Sequence, residues 1–570
     1  MSFVVDLILY CAYNTHMHNT RSKPKAKAQT IRGITYMYQE FSYRVSGEKN
    51  PRHRRRYLGK MIEETFVPNA KFLLLSPEEQ TQTGLIFQHT VAKSPQAKRG
   101  RKPASEISTR LFHGATYLFD HLAERLGITD DLKRIFPYTW EKILSLAWFL
   151  ILEDHNVISR FPKWGKTHTH PYGKDISSPR SSELFGTITE DGIQQFFSFQ
   201  IKRRLEKEYL AYDCTSISTY SQALAIARRG KNKEHDQLEQ INLALVFGHK
   251  SMLPVCYRIL PGNITDVMTV KKTVRDLAAM GIGSVSLIMD RGFYSEENIT
   301  ALYKQHYRFI IAAKKSLKRV KAAINRIHDT LVRFEHYHEG QDIYYASELV
   351  KWEIKGTDTE GQETIQTHKR LYLHLYYDDQ RALDARRTQH KKVLRLKREL
   401  EQGARNTAHE QLYTKYFTIK KTPKRGMSVI IRTEVLEEEA KYYGYFSLMS
   451  NLVKDPIDAL IVYRAKDVVE KAFGNLKERL ALRRPGVSTH ANLQGKIFVQ
   501  YIALIILSQI QKTMREQKLY QGYTLYTLLD ELDVIEYFEH AGKRGHWGEV
   551  TQKQAKLFQA VKVPSPVHIK

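Results

Sequence analysis

VYRAKDVVEKAFGNLKERL, Val462 to Leu480, decides how the rest of the chain is read. It holds no Pro and a single Gly, and good helix formers fill it, so its composition predicts one continuous helix. Wound at about 100° per residue, and with Ile461 included, it carries an apolar stripe of Ile461, Ala465, Val468, Val469, Ala472, Leu476 and Leu480. Tyr463, Lys466, Glu470 and Lys477 gather in a second stripe beside it. A solvated helical face scatters its charges or pairs them four residues apart. This one sets a carboxylate between two cations and a phenol, one or two turns apart.

Two upstream segments carry further carboxylates. KEYLAYDCTSIS, Lys207 to Ser218, reads as a β-rich run with Asp213 near its end. SVSLIMDRGFYSEENI, Ser284 to Ile299, reads as an apolar strand ending in Asp290, then Arg-Gly, then the start of a helix. An unpaired carboxylate on a buried strand is expensive. One such Asp can be a helix cap. Two of them, followed by the Glu470 helix, are the pattern of hard oxygen ligands gathered for a divalent cation.

Asp213-Cys214-Thr215-Ser216, Asp290-Arg291-Gly292-Phe293-Tyr294 and Tyr463…Lys466…Glu470…Lys477 together resemble the three signature regions of DDE-type insertion-sequence transposases. The resemblance is to the branch whose third carboxylate lies in a Tyr-Arg-Glu-Lys helix. Tyr463 stands seven residues before Glu470 and Lys477 seven after, as that pattern asks, while the pattern's Arg falls on Lys466. PGNITD, Pro261 to Asp266, is similar to a stretch the family places between its two aspartates. The resemblance spans roughly residues 30 to 515. It implies a ribonuclease-H-like catalytic core with Asp213, Asp290 and Glu470 as catalytic residues and as ligands of two Mg²⁺ (or Mn²⁺), Asp213 bridging both. It implies DNA contacts from Tyr463, Lys466, Lys477 and Arg291. The activity it implies is cleavage and strand transfer of DNA at the terminal inverted repeats of a bacterial insertion sequence, by a homodimer in a synaptic complex with target DNA. The alternative is a catalytically silent descendant that binds DNA as an inhibitor or repressor; a disrupted carboxylate would favour it, and all three stand.

Composition agrees with a DNA partner. Lys and Arg number 89 against 61 Asp and Glu, a net charge of +28, which calls for a polyanion. With 42% hydrophobic and 11% aromatic residues the chain folds, and 570 residues exceed one ordinary core. The longest apolar run, Ile497 to Ile510, is interrupted by Gln500 and Ser508 and falls short of the ~20 residues of a membrane span, so a buried helix is expected and no membrane partner. The opening MSFVVDLILYCAY has no basic start and is broken by Asp6, which argues against a signal peptide and fits a stray extension. Cys11, Cys214 and Cys256 form no disulfide or metal spacing. The expected location is the cytoplasm, at the nucleoid.

In chain order, residues 1–103 are expected to form a basic β-rich DNA-binding region and linker. A hairpin there has Arg54, Arg55 and Arg56 on its second strand, and the linker AKSPQAKRGRKPAS carries Lys98, Arg99, Arg101 and Lys102. Residues 104–205 read as a helical domain, in which His168 and His170 suit a loop better than a metal site. Residues 206–330 hold strands near 208–215, 241–247, 252–259, 284–290 and 307–313, with helices near 266–280 and 295–305, the element order of a ribonuclease-H-like core. Residues 331–452 are expected as an insertion domain, β-rich with a basic helix from Gln380 to Gln402. Residues 453–517 return to the core, and 518–570 are expected to be helical. The fold class is thus α/β, or α+β across several domains.

Overall fold

The computed structural model describes residues 24–31, 33–43, 50–62, 64–86, 108–154, 156–204, 208–230, 236–279, 286–357, 363–422, 426–540 and 545–567. It divides into two compact units, Met1–Pro103 and Ala104–Lys570. In the first, β1 (Lys27–Ile31), β2 (Ile34–Tyr43), β3 (Arg52–Ile62) and β4 (Thr65–Pro68) form an antiparallel sheet in sequence order. Leu58, Phe66, Phe72 and Leu75 make its small core. The linker residues Lys98, Arg99, Arg101 and Lys102 lie outside the described residues.

The second unit is mixed α/β and is organised around a nine-stranded sheet. Its strands are β6 (Tyr209–Thr219), β7 (Glu239–Gly248), β8 (Pro254–Pro261), β9 (Ser286–Met289), β10 (Arg308–Ala313), β11 (Tyr337–His338), β12 (Ile343–Thr357), β13 (Glu363–Tyr377) and β16 (Tyr445–Ser450). The spatial order is β11-β12-β13-β16-β10-β9-β6-β7-β8. β9 runs parallel to both β6 and β10, and the other pairs are antiparallel. β6 and β7 are buried along nearly their whole length, as strands covered on both faces are.

The insertion is smaller than the expected 331–452. The long β12–β13 hairpin and β16 belong to the central sheet, because β16 pairs with β10 on one side and β13 on the other. Among the described residues, the stretch from Asp378 to Gly444 leaves it. That stretch has the basic helix Asp379–Glu401 and a hairpin of β14 (Phe417–Thr422) and β15 (Gly426–Ile431), around a core including Val393, Leu396, Leu400 and Tyr413.

The carboxy-terminal region is not purely helical. β17 (Glu536–His540) pairs with β18 (His546–Trp547) and with β5 (Ser108–Phe112), at the other end of the unit's chain. Tyr537 and Trp547 pack on His113, and Glu536 forms an ion pair with Arg110. DELDVIEYFEH, Asp530 to His540, in the region expected to be helical, is therefore split after Asp533, its second half used as a strand.

Helix α1 (Trp140–Leu152) and α2 (Ser178–Thr187) pack on the long helix His490–Glu516, whose 27 residues bury Ile497 to Leu507 in the core. The close approach depends on Gly495: a Cβ there would collide with the backbone of Phe185 in α2, its carbonyl oxygen first. Gly→Ala inside a helix normally gains about 1 kcal/mol from propensity. Here the obstacle is backbone that cannot swing aside, so overpacking wins, and Gly495→Ala is expected to destabilise by about 1–3 kcal/mol. Thermal or urea unfolding reads this directly, and an unchanged or raised midpoint would show that the helices can separate freely.

His168 and His170 are structural. His168 stacks on Trp164 and bonds Asp533 at 3.1 Å, and His170 meets the Ser145 hydroxyl at 3.0 Å. Cys214 and Cys256 are buried free thiols.

Candidate active site

The parallel pairing of β6 with β9 sets the site. Tyr212 is registered with Met289, the last residue of β9. Each strand then steps one residue onward, to Asp213 and Asp290, and the two carboxylates fall on one face of neighbouring strands. Asp213 lies in the middle of β6, not near its end, because β6 continues past the edge of β9 on its pairing with β7. Its Oδ1 accepts the Cys214 backbone N–H at 2.8 Å. Asp290 directly follows its strand and opens the short turn Arg291–Phe293.

The Val462–Leu480 stretch is not one helix. It is broken into α3 (Pro456–Arg464), a turn at Ala465 and Lys466, α4 (Asp467–Gly474), and a single π-helical turn, Asn475–Arg479. Packing explains the break. α3 lies on the outer half of the sheet, where Ala459 and Leu460 join Ile310, Tyr376 and Leu448. α4 lies on β6 and β7 and buries Val469, Ala472 and Phe473. One straight rod cannot follow both halves of a twisted sheet, so tertiary contacts override propensity. The apolar stripe shifts accordingly: Ile461 is exposed and Phe473 is buried.

The break delivers the polar residues. The Tyr463 hydroxyl donates to Asp290 Oδ1 at 2.8 Å. Lys466 Nζ donates to Glu470 Oε1 at 2.6 Å, and its side chain is only 13% exposed against 54% for Glu470. Burial pushes the Asp290 carboxyl up, but the Lys466 ammonium, the Tyr463 hydroxyl and the Arg291 backbone and charge together hold it below its ordinary value. Burial pulls Lys466 down, yet its bond to Glu470 and the charges of Asp290, Glu470 and Asp213 hold it above. Burial first, and then the charge of Asp290, push the Tyr463 phenol up, so it stays a donor.

Asp213, Asp290 and Glu470 are thus joined electrically through one ammonium. Hard oxygen donors of this kind suit Mg²⁺ or Mn²⁺. Among the described residues, however, no three His, Cys, Asp or Glu groups converge closely enough to hold a metal ion, because the Glu470 carboxylate is turned to Lys466.

Arg291 lies beside Asp290 and is exposed. Lys477 sits on the π-helical turn, partly buried. In the separate first unit, Arg54, Arg55 and Arg56 all lie on β3. Arg55 is engaged by Glu40 and Gln29, and Arg56 stacks over Phe41, while Arg54 is exposed opposite Phe41.

Sequence reading did not single out Lys315, which follows β10, is exposed, and donates its ammonium to the Tyr442 carbonyl at 3.0 Å. Crowding by protein and the charge of Arg291 hold its ammonium below the ordinary value. Its signal was the Lys-Lys pair directly after an apolar strand. The Pro261–Asp266 turn is fastened by Asn242, whose side-chain amide donates to the carbonyls of Pro261, Gly262 and Ile264.

A sequence-family model described as the transposase DDE domain matches residues 204–506, more than half of the chain. Among solved structures, the chain is similar to the piggyBac transposase synaptic complex with hairpin DNA, seen by cryo-electron microscopy. The identity is 10% and the TM-score 0.31, over 62% of this chain and 57% of that one, less than two thirds of its length. No curated protein sequence matches.

Proposed function

We propose that this chain, which belongs to the transposase DDE-domain family, cuts DNA at the terminal inverted repeats of a bacterial insertion sequence and joins the freed ends to target DNA. The observation that carries the reading is the register of β6 on β9, which brings Asp213 beside Asp290, with Glu470 tied to both through Lys466. The strand order β8-β7-β6-β9-β10, with the first and fourth of these strands in sequence being parallel neighbours, supports a ribonuclease-H-like core.

In this reading Asp213, Asp290 and Glu470 would hold divalent metal, Mg²⁺ or Mn²⁺. Bound metal supplies Lewis-acid charge at the entering and leaving oxygens of an in-line displacement. The chain's own groups do the rest. Tyr463 fixes the orientation of Asp290 and, with Lys466, keeps it ionised. Lys466, Arg291 and Lys477 offer positive charge to the scissile and flanking phosphates. Water attacks the phosphodiester first, breaking the bond to the 3′ oxygen, and the 3′-hydroxyl so released attacks target DNA second. The partners are the two element ends and the target, held by a homodimer in a synaptic complex at the nucleoid.

The test is a supercoiled plasmid carrying the element's ends, incubated with the purified chain and Mg²⁺, with breaks mapped to the nucleotide. Nicks confined to the two ends are expected. Breaks scattered over the plasmid, or none with both ends present, would sink the reading.

A further inference from the structure

The pair formed by Lys466 and Glu470 is set against the preference of its own helix. α4 begins at Asp467 and Lys466 is its N-terminal flank, where a cation opposes the helix dipole. The order is also the poorer one, since Glu before Lys is the favourable arrangement four residues apart. A lysine that merely solvated this helix would point into water. Instead its side chain is almost covered, its ammonium bonds Glu470 at 2.6 Å, and it passes 5.6 Å from the centre of the Tyr463 ring. Its bond to Glu470 holds it first, and the charges of Asp290 and Asp213, on two neighbouring strands, favour the ammonium further. The ammonium thus bonds Glu470 on one side and lies against the ring of Tyr463, whose hydroxyl bonds Asp290 at 2.8 Å.

We propose that Lys466 is a resident counter-ion, occupying the carboxylate site until divalent metal displaces it, so that metal loading and release of the Lys466 side chain are one exchange. The inference rests on the reading of Asp213, Asp290 and Glu470 as metal ligands. Its consequence is coupling. In the free protein a metal ion must replace an ammonium already paired with its ligands, so loading is weak. When DNA is present a phosphate receives the released ammonium, and loading tightens. Lysine suits the exchange because its compact charge sits on a flexible stem.

Binding of Mn²⁺ to the full chain without DNA, followed by the electron paramagnetic resonance of free Mn²⁺, tests this. Lys466→Met is expected to bind Mn²⁺ about tenfold or more tightly than wild type, because a unit positive charge beside the ion is gone. Lys466→Arg, which keeps the charge, should bind as weakly as wild type, and Asp290→Asn should not bind at the site. Metal-free Lys466→Met should melt lower than wild type and gain more on adding Mn²⁺. Lys466→Gln serves in its place should the methionine variant not fold. Equal affinity for wild type and the neutral variants, with binding still lost in Asp290→Asn, overturns the counter-ion and leaves the metal site standing. No binding by any of the proteins overturns both.

Discussion

Asp213→Asn, Asp290→Asn and Glu470→Gln are each expected to slow strand cleavage by about a thousandfold or more, while binding to the element's ends stays within about threefold of wild type. The amides keep shape and remove charge, so the sheet and α4 should be undisturbed. Asn at 290 can still accept the Tyr463 hydroxyl through its carbonyl oxygen, so the loss reports the missing ligand charge and not a broken hydrogen bond. The three should fail alike, because a shared metal site is lost with any one of them. Single-turnover cleavage of a labelled end, beside a gel-shift titration, separates chemistry from binding. A variant that cleaves within about tenfold of wild type carries no ligand at that position. Glu470 faces the most demanding form of this test, since its carboxylate engages Lys466 and not the two aspartates.

The two aspartates were legible in the sequence because one stands on a β-rich run and the other ends an apolar strand, where a carboxylate has no cheap structural reason to be. Their adjacency was not, since pairing of distant strands leaves no local mark; it followed only from the resemblance. The break at Ala465 and Lys466 was hidden for a related reason. Every residue there favours a helix, and what ends α3 is the direction of the sheet beneath it. Residues 331–452 read as β-rich, but nothing in YYGYFSLM, Tyr442 to Met449, says that β16 joins β10 to β13 and extends the central sheet. EYFEH, Glu536 to His540, adjoins a helix-forming acidic run, and its partner β5 lies more than 400 residues earlier. Chemistry-bearing positions were readable one by one, whereas long-range partners were not.

Removing residues 1–103 should abolish preference for the terminal repeats while leaving a folded remainder. The cut follows the division of the structure: among the described residues, β1 to β4 form a sheet of their own. The truncated chain should therefore keep its unfolding midpoint and the integrity of the Asp213–Asp290 register. The part removed concentrates cation: Arg52 to Arg56 supply four guanidinium groups in five residues, and the linker adds Lys98, Arg99, Arg101 and Lys102. Within β3 the arginines are unequal, because Arg55 is half-neutralised by Glu40 whereas Arg54 stands exposed for a phosphate. Specific binding typically exceeds non-specific binding by about a thousandfold or more. That gap should close after truncation, leaving a weaker, salt-dependent affinity from the remaining positive charge. Footprinting of the terminal repeats and a salt titration on a random duplex measure the two parts. An unchanged footprint would move recognition to the second unit, most directly to the helix Asp379–Glu401, where Arg386, Arg387, Lys391 and Arg398 are exposed.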